Sequence, residues 1–228
     1  MKKLYSIPPL ILQTAIWPIT WLFFKFFLHL KIQGLENLKR LPRGVIFASN
    51  HSSEWDSILV PASLPFLSRF MPMFYVTNED KEFKHPKFGW RRHLYGGLPF
   101  RAGGAYPIAR GQKNYAVALK PHIRLLQKKR SILIFPEGWL NTSQIPLAAH
   151  GGVAFLAHKA STPIVPVTIL GISRLTFNEF VLRKRNIVIY FGKPLYSKDI
   201  FYDSKNVSID DYKKAAQVIM YEIYKLNQ

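Results

Sequence analysis

The sequence predicts an α/β fold in which a mostly parallel central sheet is flanked by helices and preceded by an N-terminal membrane-associated helical segment. Short apolar runs alternate along the chain with longer segments of helical spacing, which is typical of a parallel sheet. The 228 residues suit one such domain with a proper core. We place the membrane-associated segment at residues 1–31 and the α/β domain at residues 32–228.

An apolar stretch rich in Trp and Phe runs from Leu4 to Leu30. A membrane-spanning helix needs about 20 mostly apolar residues, and this stretch meets that requirement narrowly. We expect a helix, with Pro18 as a candidate break, that is embedded in a membrane or lies on its surface, because Trp and basic residues suit the headgroup boundary. A buried core helix is the alternative. A cleaved signal peptide is less favoured, because no small-x-small site clearly follows the apolar run.

The apolar runs of the second segment predict six strands, and the intervening patterns predict helices. The predicted strands are 45–48, 70–76, 106–109, 131–135, 164–170 and 187–191. The predicted helices are 57–68, 114–130, 150–160 and 209–226. Pro121 should kink or split the second helix, and Pro107, which lacks a ladder N–H, predicts an edge strand at 106–109.

The charge of the chain is unusual for its length. Lys and Arg number 32 against 13 Asp and Glu, so the formal net charge is +19. Such a surface attracts polyanions, and nucleic acid, anionic lipid, coenzyme A phosphates and an acidic carrier protein all qualify. The sequence has no zinc-finger spacing, no clear RNA-recognition pattern and no cysteine, which excludes disulfides and Cys-ligated metals.

His51 and Asp56 directly follow the apolar run 45–48, in the spacing His-x4-Asp. Residues five apart in a straight helix lie ~140° apart around its axis, so the pair can meet only if part of the segment is non-helical. We therefore expect His51 in the turn after the strand and Asp56 in the first turns of the next helix. Asp56 could then accept one imidazole N–H, and the other nitrogen could take a proton from a hydroxyl. The alternative is a polar helix start with a solvated carboxylate.

Two more chemically useful side chains follow predicted strands. Arg110 comes directly after the predicted edge strand, where a guanidinium suits a phosphate, and Glu137 follows the run 131–135. Because the carboxyl ends of parallel strands share one edge, these residues and His51 can converge on one crevice. The alternatives are a solvated arginine and an acidic turn residue.

These stretches together resemble the glycerolipid acyltransferases of the lysophosphatidic-acid acyltransferase type. The resemblance spans roughly residues 30–195 and follows the order of the family's four motifs. The matching residues are Asn50, His51 and Asp56 for the first motif, Gly104, Ile108 and Arg110 for the second, Phe135, Pro136, Glu137 and Gly138 for the third, and Ile164 to Val167 for the fourth.

The resemblance implies transfer of a fatty acyl group to a hydroxyl of a lysophospholipid or related glycerolipid. The donor would be acyl-CoA or acyl carrier protein as a co-substrate, and no cofactor or metal is expected. His51 would be the general base and Asp56 would orient it. The residues expected to bind substrate are Asn50, Gly104, Arg110, Glu137 and Gly138, with Arg110 on a phosphate or other anionic group.

The resemblance also implies partners and a location. We expect contact with membrane lipids, of the anionic kind in view of the charge, and no nucleic-acid partner. The protein should lie at a membrane, with the catalytic domain on the cytosolic face where the donor is found. Trp139-Leu140 stands where the family usually has Thr-Arg or Ser-Arg, which favours an acceptor other than lysophosphatidic acid. A non-catalytic lipid-binding protein that retains the fold is the alternative function.

Overall fold

Strands and helices alternate along the chain, as the apolar runs predict. The computed structural model describes residues 7–79, 89, 98–109, 114–143, 145, 147–201 and 207–226. The strands are Lys31–Gln33 (β1), Ile46–Ser49 (β2), Met73–Thr77 (β3), Ala105–Pro107 (β4), Ser131–Ile134 (β5), Ile164–Leu170 (β6) and Val188–Phe191 (β7). The helices are Ile7–Phe27 (α1), Asp56–Ala62 (α2), Leu98–Ala102 (α3), Tyr115–Ala118 (α4), Lys120–Gln127 (α5), Gly152–Ala160 (α6), Phe177–Val181 (α7), Ser197–Ile200 (α8) and Ile209–Lys225 (α9).

The strands form one sheet in the order β1-β7-β6-β2-β5-β3-β4. Every neighbouring pair is parallel except β6 with β7, so the predicted mostly parallel sheet is confirmed. The antiparallel pair follows from its connection. The segment between β6 and β7 contains only the five-residue helix α7, which is about 7.5 Å long and cannot run back along the sheet. The strand β7 therefore starts at the edge where β6 ends.

Both faces of the sheet are buried over its central strands, which explains why β2, β5 and β6 are mostly apolar runs. Along β2, Ile46 and Ala48 join a core cluster with α5, α6 and α9, whereas Phe47 joins a second cluster with α1 and α2. The predicted helix 114–130 is divided into α4 and α5, and Pro121 lies in the first turn of α5. The predicted edge position of β4 is also confirmed.

The helix α1 packs on the sheet face that carries Phe47 and the second core cluster. It runs from the side where the parallel strands begin to the side where they end. Near its start, the Gln13 amide accepts from the N–H of Met73 at 2.8 Å and donates to its carbonyl at 2.7 Å. Near its end, Phe23 stacks on Trp55 with ring centroids 6.0 Å apart. The helix continues through Pro18 without a break. Its ends therefore lie beside opposite edges of the sheet.

The outer side of α1 is apolar and exposed. The exposed large side chains are Ile7, Leu10, Ile11, Leu12, Ile16, Ile19, Leu22 and Phe26. By length and composition α1 can cross a membrane, which is weak evidence for membrane association. That association, and the division of the chain at residue 31, stay predictions.

Candidate active site

The site lies where β2 and β5, which are parallel neighbours, end side by side. His51 follows β2 and Glu137 follows β5. The main-chain N–H of His51 donates to Glu137 Oε1 over 3.4 Å. The shared sheet edge therefore brings together two residues that are 86 positions apart in the sequence.

His51 and Asp56 meet as their spacing predicts. His51 lies in the turn after β2 and Asp56 is the first residue of α2. His51 Nδ1 is 3.1 Å from Asp56 Oδ2. The same oxygen accepts the main-chain N–H groups of Ser52 at 2.7 Å and Ser53 at 2.9 Å. The carboxylate is fully buried, so the turn holds it rigidly against the imidazole.

The His51 ring is fixed by packing as well as by the carboxylate. Phe135 stacks on it with centroids 4.0 Å apart and an interplanar angle of 14°. The side chain remains 22% exposed. With Nδ1 facing Asp56, Nδ1 carries the hydrogen, and Nε2 makes no hydrogen bond to any residue that the structure describes. The geometry therefore leaves Nε2 available to accept a proton.

Glu137 is 2% exposed and is engaged by the protein itself. Oε2 accepts from Asn141 Nδ2 at 2.5 Å, and Oε1 accepts from the hydroxyl of Tyr224 at 3.3 Å in addition to His51 N–H. Burial, and then the neighbouring carboxylate, raise the pKa of Tyr224 to about 12, so its hydroxyl stays a donor. Glu137 thus positions the His51 backbone, and its predicted contact with substrate stays a prediction.

Asn141 and Tyr224 are site residues that the sequence analysis missed. Asn141 also donates its main-chain N–H to the His51 carbonyl at 2.6 Å, so it holds both ends of the His51–Glu137 contact. The sequence signal that could have identified Asn141 is its side-chain amide, which lies four positions after Glu137. Tyr224 lies in the helical pattern of α9, and no local pattern connects it with Glu137.

Asn50 ties the site to the sheet. Its amide Nδ2 donates to the Ile169 carbonyl at 3.0 Å, and Oδ1 accepts the Ile169 N–H at 2.8 Å. The side chain is buried and extends the pairing of β2 with β6 beyond the end of β2. This contact positions the residue before His51, while substrate binding by Asn50 stays a prediction.

The remaining predicted residues are not all brought to His51. Gly104 precedes β4 at the opposite edge of the sheet, with φ +102° and its Cα facing the Met73 carbonyl. Gly138 does lie at the site, with φ +72° beside the ring of His150. Arg110 lies outside the described residues. Among the described residues no cluster of three or more His, Cys, Asp or Glu side chains could hold a metal ion.

A histidine oriented by a buried carboxylate, at the carboxyl edge of a mostly parallel sheet, can remove a proton from a bound hydroxyl. The model of the acyltransferase family matches residues 29–170, which is more than half of the chain. The chain therefore belongs to the acyltransferase family.

Two curated relatives are similar over most of the chain. The chain is 27% identical over 167 residues to the chloroplastic 1-acyl-sn-glycerol-3-phosphate acyltransferase BAT2 of Brassica napus, and 26% identical over 172 residues to LPAT1 of Arabidopsis thaliana, which has the same description. These matches cover 72% and 75% of this chain but only 44% of each relative. The chain thus spans less than half the length of the curated relatives it matches.

A solved structure has a similar fold. It is the crystal structure of the 1-acyl-sn-glycerophosphate acyltransferase PlsC from Thermotoga maritima, with a TM-score of 0.59 and 18% sequence identity. The match covers 96% of this chain and 79% of that chain. The likeness supports the α/β fold.

Proposed function

We propose that this protein transfers a fatty acyl group from acyl-CoA or acyl carrier protein to a hydroxyl of a lysophospholipid or related glycerolipid. The observation that carries the proposal is the 3.1 Å contact between His51 Nδ1 and the buried Asp56 carboxylate, with Nε2 left free. Membership of the acyltransferase family supports the same reaction class.

In the proposed reaction, His51 Nε2 accepts the proton of the acceptor hydroxyl while the hydroxyl oxygen attacks the thioester carbonyl carbon. Asp56 stabilises the imidazolium that forms. The C–S bond then breaks, and the departing thiolate takes the proton from His51. The chain itself contains no cysteine, so the released thiol can be titrated without a protein background.

The acceptor is proposed from the relatives and from the residues around Glu137. Two relatives are named for action on 1-acyl-sn-glycerol 3-phosphate. Arg110 is the side chain we propose for an acceptor phosphate. Trp139 and Leu140, which follow the Glu137-Gly138 turn, are nearly half exposed and apolar. They support the hypothesis that the preferred acceptor is a lysolipid other than lysophosphatidic acid.

Membrane association is part of the proposal. The exposed apolar side of α1 suits the acyl-chain boundary, and the net charge of +19 suits anionic headgroups. The helix ends beside Trp55, next to the His51–Asp56 turn, so a membrane along α1 would present lipid to the site. We expect the catalytic face to be cytosolic because the donor is found there.

The test measures thiol release and labelled lipid product with the purified full chain in liposomes, an acyl-thioester donor and a panel of lysolipids. We expect product from the wild type and loss of at least about 10²-fold in His51→Ala, with His29→Ala as a matched histidine control. Equal activity in wild type and His51→Ala would refute the mechanism. A clear preference for lysophosphatidic acid would refute the altered-acceptor hypothesis. Lipid binding without product across the panel would favour the non-catalytic alternative.

A further inference from the structure

A pocket of about 230 Å³ lies at the edge of the sheet opposite His51, between the first half of α1 and the loop before β3. Its floor includes Ser131, the first residue of β5. The lining has an apolar wall that includes Leu10, Trp17 and Phe66, and a basic rim of Arg43, Lys129 and Arg130. The pocket is therefore amphipathic and separate from the candidate active site.

The protein does not neutralise this basic rim. Within the described part of the chain, none of the three rim side chains forms an ion pair or a hydrogen bond, and no residue of the lining is acidic. A fourth cation, Arg69, is already engaged. Its guanidinium donates to two main-chain carbonyl oxygens of the segment after β1, at 2.6 and 2.5 Å. Three cations thus face the pocket without a counter-charge from its lining.

Ser131 gives the pocket an unused hydrogen-bonding group. The residue is 1% exposed, and its buried hydroxyl has no partner among the residues that the structure describes. Such a group is costly to leave unpaired. Two other polar lining groups are occupied. The Gln13 amide bonds the backbone of β3, and the Trp17 N–H donates to a main-chain carbonyl at 3.0 Å. Ser131 lines the pocket, so a ligand oxygen that reaches its buried hydroxyl would satisfy it.

Two rigid turns hold the basic rim together. Lys129 has a left-handed backbone, with φ 57°, and the N–H groups of Lys129 and Arg130 donate into the last turn of α5 at 2.8 and 3.0 Å. This is a Schellman motif, whose left-handed position usually carries glycine. Gly44 packs against it so closely that a Cβ would lie 2.5 Å from the Lys129 carbonyl carbon. Arg43 is thereby kept beside Lys129.

We propose that this pocket binds the phosphate group of an anionic lipid, at a site distinct from the acceptor site at His51. Guanidinium and ammonium groups with a hydroxyl suit phosphate oxygens, and the apolar wall suits the attached hydrocarbon. Leu10 belongs both to the pocket and to the exposed apolar side of α1, so the pocket opens beside the surface proposed to meet lipid. A soluble phosphate shares the same headgroup chemistry, and the experiment distinguishes the two sources.

The test uses the full chain without acyl donor, so it does not depend on acyl transfer. It compares wild type, Lys129→Gly and Ser131→Ala, with Lys128→Gly as the matched control, because Lys128 is the adjacent exposed lysine and does not line the pocket. Binding is measured to vesicles of phosphatidylcholine with and without phosphatidylglycerol. Inorganic phosphate is titrated in parallel, with the shift in Tm as the readout.

We expect Lys129→Gly to weaken binding to phosphatidylglycerol vesicles about fivefold, and Ser131→Ala to weaken it although it changes no charge. Lys128→Gly should change binding less than Lys129→Gly. This pattern with vesicles supports an anionic lipid as the source of the bound phosphate group. A Tm rise with inorganic phosphate that both pocket variants lose, together with unchanged vesicle binding, supports a phosphate site filled by a soluble anion.

Diffuse attraction between a basic surface and an anionic membrane predicts a different pattern. Under that explanation Lys128→Gly and Lys129→Gly lose equal affinity and Ser131→Ala loses none. That result, with no variant-dependent effect of inorganic phosphate, would overturn the proposal. All variants must retain a cooperative unfolding transition for the comparison to count.

Discussion

Replacing Asp56 by asparagine tests the core of the proposed mechanism. In the structure Asp56 Oδ2 faces three nitrogen atoms, those of the His51 ring and the Ser52 and Ser53 main chain, whereas Oδ1 is buried without a partner among the described residues. In Asp56→Asn the amide oxygen should take the place of Oδ2, because an NH2 group there would face three donors. The histidine tautomer is then preserved, and the substitution removes mainly the negative charge.

The magnitude follows from the distance between the two side chains. Over the 3.1 Å between Nδ1 and Oδ2, Coulomb's law with an effective dielectric constant of about 20 gives about 5 kcal/mol for imidazolium beside carboxylate. The amide dipole retains part of this attraction, so we expect kcat to fall by about 10²- to 10⁴-fold. The free energy of unfolding should change by no more than about 2 kcal/mol, because the buried NH2 gains no partner while the buried charge is removed.

Thiol release gives kcat and KM for wild type and Asp56→Asn, and urea unfolding gives the stability of each. Glu54→Gln, which removes an exposed carboxylate two residues away, controls for diffuse charge effects. A kcat within tenfold of wild type in folded Asp56→Asn would refute the role of the carboxylate. A stability loss above about 4 kcal/mol would instead make Asp56 a structural residue of the turn.

Three further predictions concern stability. Burial lowers the pKa of His122 from 6.5 to about 4. As the pH falls, the imidazole is therefore protonated in the unfolded chain before it is protonated in the folded chain. The stability present at pH 7 is lost as the pH falls from 6.5 towards 4. The loss should be about 2 kcal/mol at pH 5, and His122→Gln should remove it in urea unfolding at the two pH values. Lys129→Gly should raise the free energy of unfolding by about 1 kcal/mol and Tm by about 2–4 °C, because glycine adopts the left-handed backbone without strain. The control Lys128→Gly should raise neither. Gly104→Ala should lower the free energy of unfolding by about 3 kcal/mol and lower the urea midpoint. The Gly104 backbone has φ +102°, and a Cβ there would lie 2.7 Å from the Met73 carbonyl oxygen.

Each of these predictions has a clear contrary outcome. An undiminished acid loss in His122→Gln would assign the pH dependence to other groups. A lower Tm for Lys129→Gly would show that the lysine side chain stabilises its turn. An unchanged urea midpoint for Gly104→Ala would show that β3 and β4 can separate without cost.

The contact between His51 and Asp56 could be predicted because it is local. Only four residues separate the pair, so a strand end, a turn and a helix start are enough to bring them together. Six of the seven strands were equally accessible because they are mostly apolar. The edge strand β1, whose Lys31 and Gln33 are exposed, was not predicted. The prediction of 164–170 matches β6 as observed.

The surroundings of Glu137 could not be predicted in the same way. The sequence analysis interpreted Glu137 as a substrate residue because it follows a strand at the crevice edge. In the structure its oxygens accept from the His51 backbone and from Tyr224, which lie 86 and 87 residues away. A helical pattern identifies the buried side of α9, but it does not reveal which loop that side reaches.

By itself the sequence determined the alternation of strands and helices, the apolar N-terminal helix, and the local His51–Asp56 turn, because periodicity and short spacings act within a few residues. Tertiary structure alone decided the antiparallel direction of β7, the placement of Gly104 away from His51, and the assembly of the basic rim at Arg43, Lys129 and Arg130. These features depend on which distant segments pack together, and that choice is made by the burial of two whole faces of a sheet rather than by any local pattern.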